Sequence, residues 1–223
     1  MKNNYLERIE TLVTKEKLRK LKTKKVLVCG VGGVGSFVAE GLARSGVGHI
    51  TLCDFDVIDA SNLNRQLMTN KHNIGEIKTE VLKKRLEDIS DAKIDTINTY
   101  IDEDFKLRKY DYVVDCIDSL NSKFALVKKA HEKDIPIISS LGTAKRLTCS
   151  NIKKTTLDKT QNDPLAKAFR SLVKKNNYKH KINVVYVDSP AIKSKTLGSS
   201  IFTVGSAGLF IASEVYNELL KKC

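Results

Sequence analysis

The chain has no tryptophan, only three prolines among 223 residues, and no CxxC pair among its five cysteines. Those cysteines, Cys29, Cys53, Cys116, Cys149 and Cys223, are widely spaced and odd in number. This excludes a disulfide framework and a structural zinc site built on paired cysteines. Three of them close apolar runs, where a cysteine acts as a small buried hydrophobe. No stretch approaches the roughly 18 consecutive apolar residues of a membrane span. The opening residues, Met1 to Tyr5, lack the apolar segment of a secretion signal. The expectation is a cytoplasmic protein with no membrane partner. What is present is an ordinary globular mixture, 41% hydrophobic and 29% charged. A chain of this length buries about 70% of its unfolded surface.

The charge is uneven. Residues 1–142 carry 24 basic and 21 acidic side chains, residues 143–195 carry 13 and 3, and residues 196–223 carry two of each. Nearly all of the net +13 therefore sits in one segment of 53 residues. A localised basic block is the footprint of a polyanion partner, because neutralised phosphates release counterions. A lysine-rich solvated surface would look the same from charge alone.

Hydrophobic spacing gives the architecture. Residues 5–21 carry a broken helical period, read as one or two short helices. Lys25 to Cys29 is a β-branched apolar run that passes into Gly30-Val-Gly-Gly-Val-Gly-Ser36, then a helix over 37–44 and a strand over 50–53. That is a strand–turn–helix–strand unit. Helix 76–89, strands 94–99 and 112–116, helix 122–133 and strand 137–140 repeat the alternation. Together they predict a doubly wound α/β fold with a mainly parallel sheet and helices on both faces. Beyond Gly142 the character becomes a basic α+β extension: an exposed strand over 146–152, a helix capped by Asp163-Pro164 and running to about Lys175, and a strand over 182–187. A helix over 202–220 then returns to the core.

Gly30, Gly32 and Gly35 follow a strand and open a helix, the context in which GxGxxG cradles phosphate on backbone N–H groups and a helix N-terminus. Asp54, at the end of the next strand, is placed for a ribose. This much does not choose between NAD and ATP. Gly33 lets phosphate lie flat on the loop, Arg65 can grip phosphate in bidentate fashion, and Lys78 adds a point charge. Such a cationic set suits a reaction that expels pyrophosphate, where negative charge accumulates on the leaving group. Asp118, just past the fourth strand, faces the same crevice and is the expected partner of magnesium beside a triphosphate. Asp115, within that strand, reads as buried and bonded to loop backbone.

These residues resemble the ubiquitin-activating-like superfamily of MoeB, ThiF and HesA. The matching runs are Gly30–Ser36, Asp54-Phe-Asp56, Ser61-Asn-Leu-Asn-Arg-Gln66, Gly75-Glu-Ile-Lys78 and Asp115-Cys-Ile-Asp118. The resemblance implies ATP–magnesium binding and adenylation of a carboxylate. It makes Gly30, Gly32, Gly33, Gly35, Ser36, Asp54, Asp56, Asn62, Asn64, Arg65, Gln66, Lys78 and Asp118 the nucleotide set. Asp54 goes to the ribose, and Asn64, Arg65 and Lys78 to the phosphates. Asp118 goes to magnesium and the reacting centre. It also implies a homodimer in which Arg8 reaches the partner's phosphates.

The paired cysteines of the sulfur-carrier branch are missing, and a sulfur-transfer partner protein stays open. The second half instead resembles the tRNA threonylcarbamoyladenosine dehydratase branch through Asp115–Lys123, Lys159–Arg170, with Asp163-Pro-Leu-Ala-Lys167 the most telling piece, Asn183–Val187 and Gly198–Leu209. The tract Val187-Asp-Ser-Pro190 departs from that branch. The resemblance thus implies ATP-dependent cyclisation of threonylcarbamoyladenosine in the tRNA anticodon loop through an acyl-adenylate. Adenylation of a ubiquitin-like carrier, an NAD oxidoreductase and a non-catalytic tRNA binder are the rival readings. The implied organisation is an N-terminal helical arm (1–24), an adenylation domain (25–142), a basic tRNA segment (143–195) and a C-terminal helix (196–223). Lys145, Arg146, Lys167, Arg170, Lys174 and Lys175 are the expected tRNA contacts.

Overall fold

The computed structural model describes residues 5–196 and 198–223. Short helices α1 (Glu7–Glu10) and α2 (Lys15–Leu21) precede β1 (Lys25–Cys29), α3 (Gly35–Arg44), β2 (His49–Cys53), α4 (Lys78–Ile89) and β3 (Lys93–Ile97). Then come β4 (Tyr112–Asp115), α5 (Leu120–Glu132), β5 (Ile137–Ser140), β6 (Ile152–Thr156), α6 (Pro164–Lys175), β7 (Asn183–Val187) and α7 (Ile201–Lys221). The sheet order is β3-β2-β1-β4-β5-β7-β6. Every pairing is parallel except that of the edge strand β6 with β7.

Two apolar layers sandwich this sheet. Val26, Val28, Ile50, Leu52 and Val114 face α2, α3, α4 and α7 on one side. Leu27, Cys29, Cys53, Val113 and Val184 face α5 and α6 on the other. Residues alternate between the layers because side chains in a strand point alternately to opposite faces. The expected doubly wound α/β architecture is present. No helix among the described residues is long and apolar enough to cross a membrane.

The basic segment does not fold apart from the domain. Its strand β7 pairs with β5 and carries β6 on its outer edge, so it lengthens the same sheet. The strand expected over 146–152 forms instead at Ile152–Thr156, where its register meets Val187 to Asn183. Residues before it are held in turns: Lys145 has φ +58°, and Thr148 and Ser150 bond each other through their hydroxyls at 2.9 Å. The α6 start falls where expected. Asp163 accepts from the N–H groups of Leu165 and Ala166, and Pro164 occupies the first helical position. An oxygen of the same carboxylate takes the Gly142 N–H at 2.8 Å, tying the end of β5 to the helix cap.

Phe169 on α6 is fully buried against Phe124 of α5, ring centroids 6.5 Å apart at 79°. Replacing Phe169 with alanine is expected to cost about 3–5 kcal/mol of unfolding free energy, measured by urea denaturation, because the void lies between two helices that cannot close independently.

Candidate active site

The strand order reverses between β1 and β4, and there the carboxyl ends of the strands leave a crevice, the place where doubly wound sheets bind ligands. A cavity of about 830 Å³ fills it. Its floor is the glycine loop between β1 and α3. Gly30 has φ +79°, and a Cβ there would fall 2.7 Å from the Cys116 carbonyl oxygen. At Gly35 a Cβ would lie 1.9 Å from the Gly30 carbonyl oxygen. Both glycines let two backbone segments approach more closely than a side chain allows.

Asp54 closes one side. Its two oxygens accept from the Val31 N–H at 2.8 Å and the Asp56 N–H at 2.9 Å. Burial raises its pKa above the ordinary carboxylate value despite those donors. Lys78 opens α4, buried, with its ammonium 2.7 Å from Asp56. The half-buried Arg65 donates to the Ser61 carbonyl at 2.6 Å and the Asn64 amide oxygen at 3.0 Å. Asn64 in turn donates to the Ser199 carbonyl at 2.9 Å, linking this wall to the start of α7. Asn62, also buried, turns its amide oxygen to the Asp59 N–H, and Gln66 leaves its amide oxygen buried without a partner among the described residues. That orphaned acceptor is ready for a ligand donor.

The opposite wall is the turn after β4. Asp118 is exposed there, with no cation within 4 Å among the described residues. The turn is fixed from below. Asp115 is fully buried, as expected, and accepts from the Ile117 N–H at 3.0 Å. Its other oxygen meets the equally buried Lys123 ammonium at 2.8 Å, and the same ammonium donates to the Ser140 carbonyl at 2.9 Å. Cys116 lines the cavity, but burial drives its thiol pKa upward, away from a thiolate nucleophile. Phe55 and Tyr100 meet edge to face at 5.2 Å on the rim, and the Tyr100 hydroxyl lies 3.1 Å from the Ser119 hydroxyl.

The cavity thus gathers Gly30, Gly32, Gly33, Asp54, Asp56, Asn62, Asn64, Arg65, Gln66, Lys78 and Asp118. Gly35 lies beneath the loop. Ser36 is fully buried with its hydroxyl accepting from the Leu67 N–H at 3.3 Å, which gives it a role in packing rather than in lining the cavity. Arg8, exposed on α1, is outside the cavity lining.

Over residues 5–222 the chain matches the ThiF family. A tRNA threonylcarbamoyladenosine dehydratase of Bacillus subtilis is 35% identical over 98% of this chain and 95% of its own length. One of Haemophilus influenzae is 34% identical over 99% and 96%. The chain belongs to the ThiF family, in its tRNA threonylcarbamoyladenosine dehydratase branch. The crystal structure of the Escherichia coli tRNA N6-threonylcarbamoyladenosine dehydratase in complex with ATP has the same fold, with a TM-score of 0.90 at 29% identity over 96% of this chain and 92% of that one.

Three of the six cations expected to meet tRNA are committed within this member of the branch. Arg146 is buried and donates to the carbonyls of Ser189, Gly142, Ala144 and Asn162, so it braces loops and does not present charge outward. Arg170 is bound to Thr160 and the Leu157 carbonyl. Lys145 spends its ammonium on the Ser194 carbonyl at 2.7 Å, while Lys167, Lys174 and Lys175 are exposed. Sequence reading missed Lys123, which looks like any helix lysine until the fold buries it. It also missed Tyr100, Thr143 and Ala144, which carry no motif, and Ser199, which lies in a matching run but was given no role.

Lys123→Met would leave the Asp115 carboxylate buried without its cation and is expected to cost about 3–5 kcal/mol of stability. The double replacement Asp115→Leu with Lys123→Met is expected to recover much of that loss, both read by urea unfolding.

Proposed function

We infer that this chain uses ATP to dehydrate threonylcarbamoyladenosine in tRNA, closing the threonyl carboxylate onto its own carbamoyl group. The observation that carries the reading is the single crevice holding a phosphate-type glycine loop, Asp54, the cations Arg65 and Lys78, and the unpaired Asp118, in a chain alike to dehydratases along its whole length. The loop N–H groups and the α3 N-terminus receive the phosphates. Asp54, with one N–H on each oxygen, keeps lone pairs for the ribose hydroxyls. A magnesium ion fits Asp118 because this cation takes one or two carboxylates and completes its shell with phosphate oxygens. Bound there it would neutralise triphosphate charge.

In the reaction the threonyl carboxylate oxygen bonds the α-phosphorus and pyrophosphate leaves. Arg65 and Lys78 face the charge that grows on that leaving group. A nucleophilic atom of the carbamoyl group then bonds the acyl carbon, its proton is released, and AMP departs with the former carboxylate oxygen. The elements of water thus leave in AMP and pyrophosphate. Both reacting groups belong to one substrate, so proximity is supplied by the substrate and no protein nucleophile is needed. Lys167, Lys174 and Lys175 are the cations left free for tRNA phosphates, and a tRNA substrate suits a cytoplasmic enzyme. Arg8, outside the lining of its own cavity, is assigned to the phosphates of a second copy in a homodimer.

Incubation with ATP–magnesium and tRNA carrying threonylcarbamoyladenosine, followed by nucleoside mass spectrometry, is expected to give a product one water lighter together with AMP. An unchanged nucleoside with active folded protein would point to carrier-protein adenylation and a sulfur-transfer partner. Asp118→Ala and Arg65→Ala are each expected to lower kcat roughly 10²–10³-fold with tRNA affinity kept. Arg8→Ala is expected to impair ATP use without loss of tRNA binding, and unchanged turnover would remove the cross-subunit role.

A further inference from the structure

The amino-terminal 142 residues are nearly balanced in charge, yet one region of their surface is not. At the amino ends of β1, β2 and β3 the parallel register sets Lys25, His49 and Lys93 side by side on one face. The next row on that face, Leu27, Thr51 and Asp95, carries one acid. The helices of that layer, α5 and α6, pack over β4, β5 and each other, leaving β2 and β3 under the loop between β3 and β4. The result is a cleft of about 570 Å³ lined by Lys25, Lys83, Lys93, Arg108 and Lys109 against Asp95 alone. Lys83 reaches Glu87 only at 3.9 Å and Lys93 reaches Asp95 at 3.8 Å. No carboxylate lies within 4 Å of the other three cations among the described residues.

Five cations around one concavity cost folding energy through mutual repulsion, and concave walls focus their field outward. The ligand such a surface attracts is a polyanion. The cleft has no glycine turn and no helix N-terminus to cradle a single nucleotide, and its cations are strung along the edge of the sheet, which suits an extended anion. The loop over residues 98–110 joins this cleft to the catalytic cavity, since Thr99, Tyr100 and Ile101 line the cavity and Arg108, Lys109 and Tyr110 line the cleft. The cations at the amino ends of the strands lie about the length of β3, ~17 Å at ~3.3 Å per residue, from its carboxyl end, where the cleft wall at Thr96 and Ile97 approaches Thr99 of the cavity. That length is about five nucleotides of a stacked strand at ~3.4 Å each.

We propose that this cleft is a second docking surface for tRNA, gripping backbone phosphates on the β3 flank while the target nucleoside occupies the cavity. The proposal rests on the tRNA reading above. It assigns phosphate contacts to residues outside the basic segment, on the opposite edge of the sheet from β6. Contacts of this kind fix register and carry no base preference.

The test is the double variant Arg108→Gln with Lys109→Gln, both on an exposed loop, compared with wild type in tRNA binding across a salt series and in steady-state turnover. The expected result is a dissociation constant for tRNA raised about tenfold near 0.1 M salt, with the slope of log K against log salt reduced by about two. kcat at saturating tRNA and KM for ATP stay as in wild type. The charge-keeping double variant Arg108→Lys with Lys109→Arg is expected to bind as wild type does. Unchanged affinity and slope in the glutamine variant, while wild type converts its substrate, overturns the cleft and leaves the cavity reading standing. Loss of inorganic tripolyphosphate binding with tRNA binding intact overturns it in favour of a small-anion site. Failure of wild type to convert the nucleoside overturns the cavity reading, and the tRNA-binding comparison still decides the cleft.

Discussion

The buried pair of Asp115 and Lys123 is the constraint on which the site depends. Two opposite charges with no solvent exposure are costly to desolvate and are tolerated only when each remaining polar atom is bonded. Here they are: one carboxylate oxygen takes the Ile117 N–H, the other the ammonium, and the ammonium also takes the Ser140 carbonyl. Three pieces of backbone are thereby pinned to one point: the turn after β4, the end of β5 and the first turns of α5. The turn so fixed presents Asp118 to the cavity and lays the Cys116 carbonyl over Gly30, where no larger residue fits. The glycine loop and the Asp118 carboxylate are therefore held in one frame.

From that frame the electrostatics follow. Asp54 is partly desolvated and its carboxyl accordingly resists ionisation, a cost that the N–H groups of Val31 and Asp56 and the charge of Lys78 offset in part. Lys78 and Arg65 are pre-oriented, one by Asp56 and the other by Ser61 and Asn64, so the proposed reaction would need little reorganisation of either cation. The bond from Asn64 to the Ser199 carbonyl connects this cationic wall to the residues leading into α7, so the far end of the chain shapes the site as well.

Much of this was legible in the sequence because the signals were local. Asp163-Pro164 gave the start of α6 to the residue, since an N-cap carboxylate and a proline at the first helical position act within one turn. The glycine run, Asp54 and Asp118 were legible because each follows an apolar strand directly. The strand expected over 146–152 was displaced because its limits depend on where β7 lies. Arg146 was misread for a related reason: a basic residue in a basic segment looks solvated, and only the folded loops bring four carbonyls around its guanidinium.

The sequence by itself determined the alternation of strands and helices, the glycine loop and the family to which the chain belongs, because backbone conformation and short-range spacing act within a few residues. Tertiary structure alone decided which cations are free. Lys123 became a buried brace, Arg146 a loop anchor, and Lys25, His49 and Lys93 neighbours in one row, although 68 residues separate the first from the last. Whether a charge is exposed, paired or crowded depends on what the fold packs around it, and no local pattern encodes that.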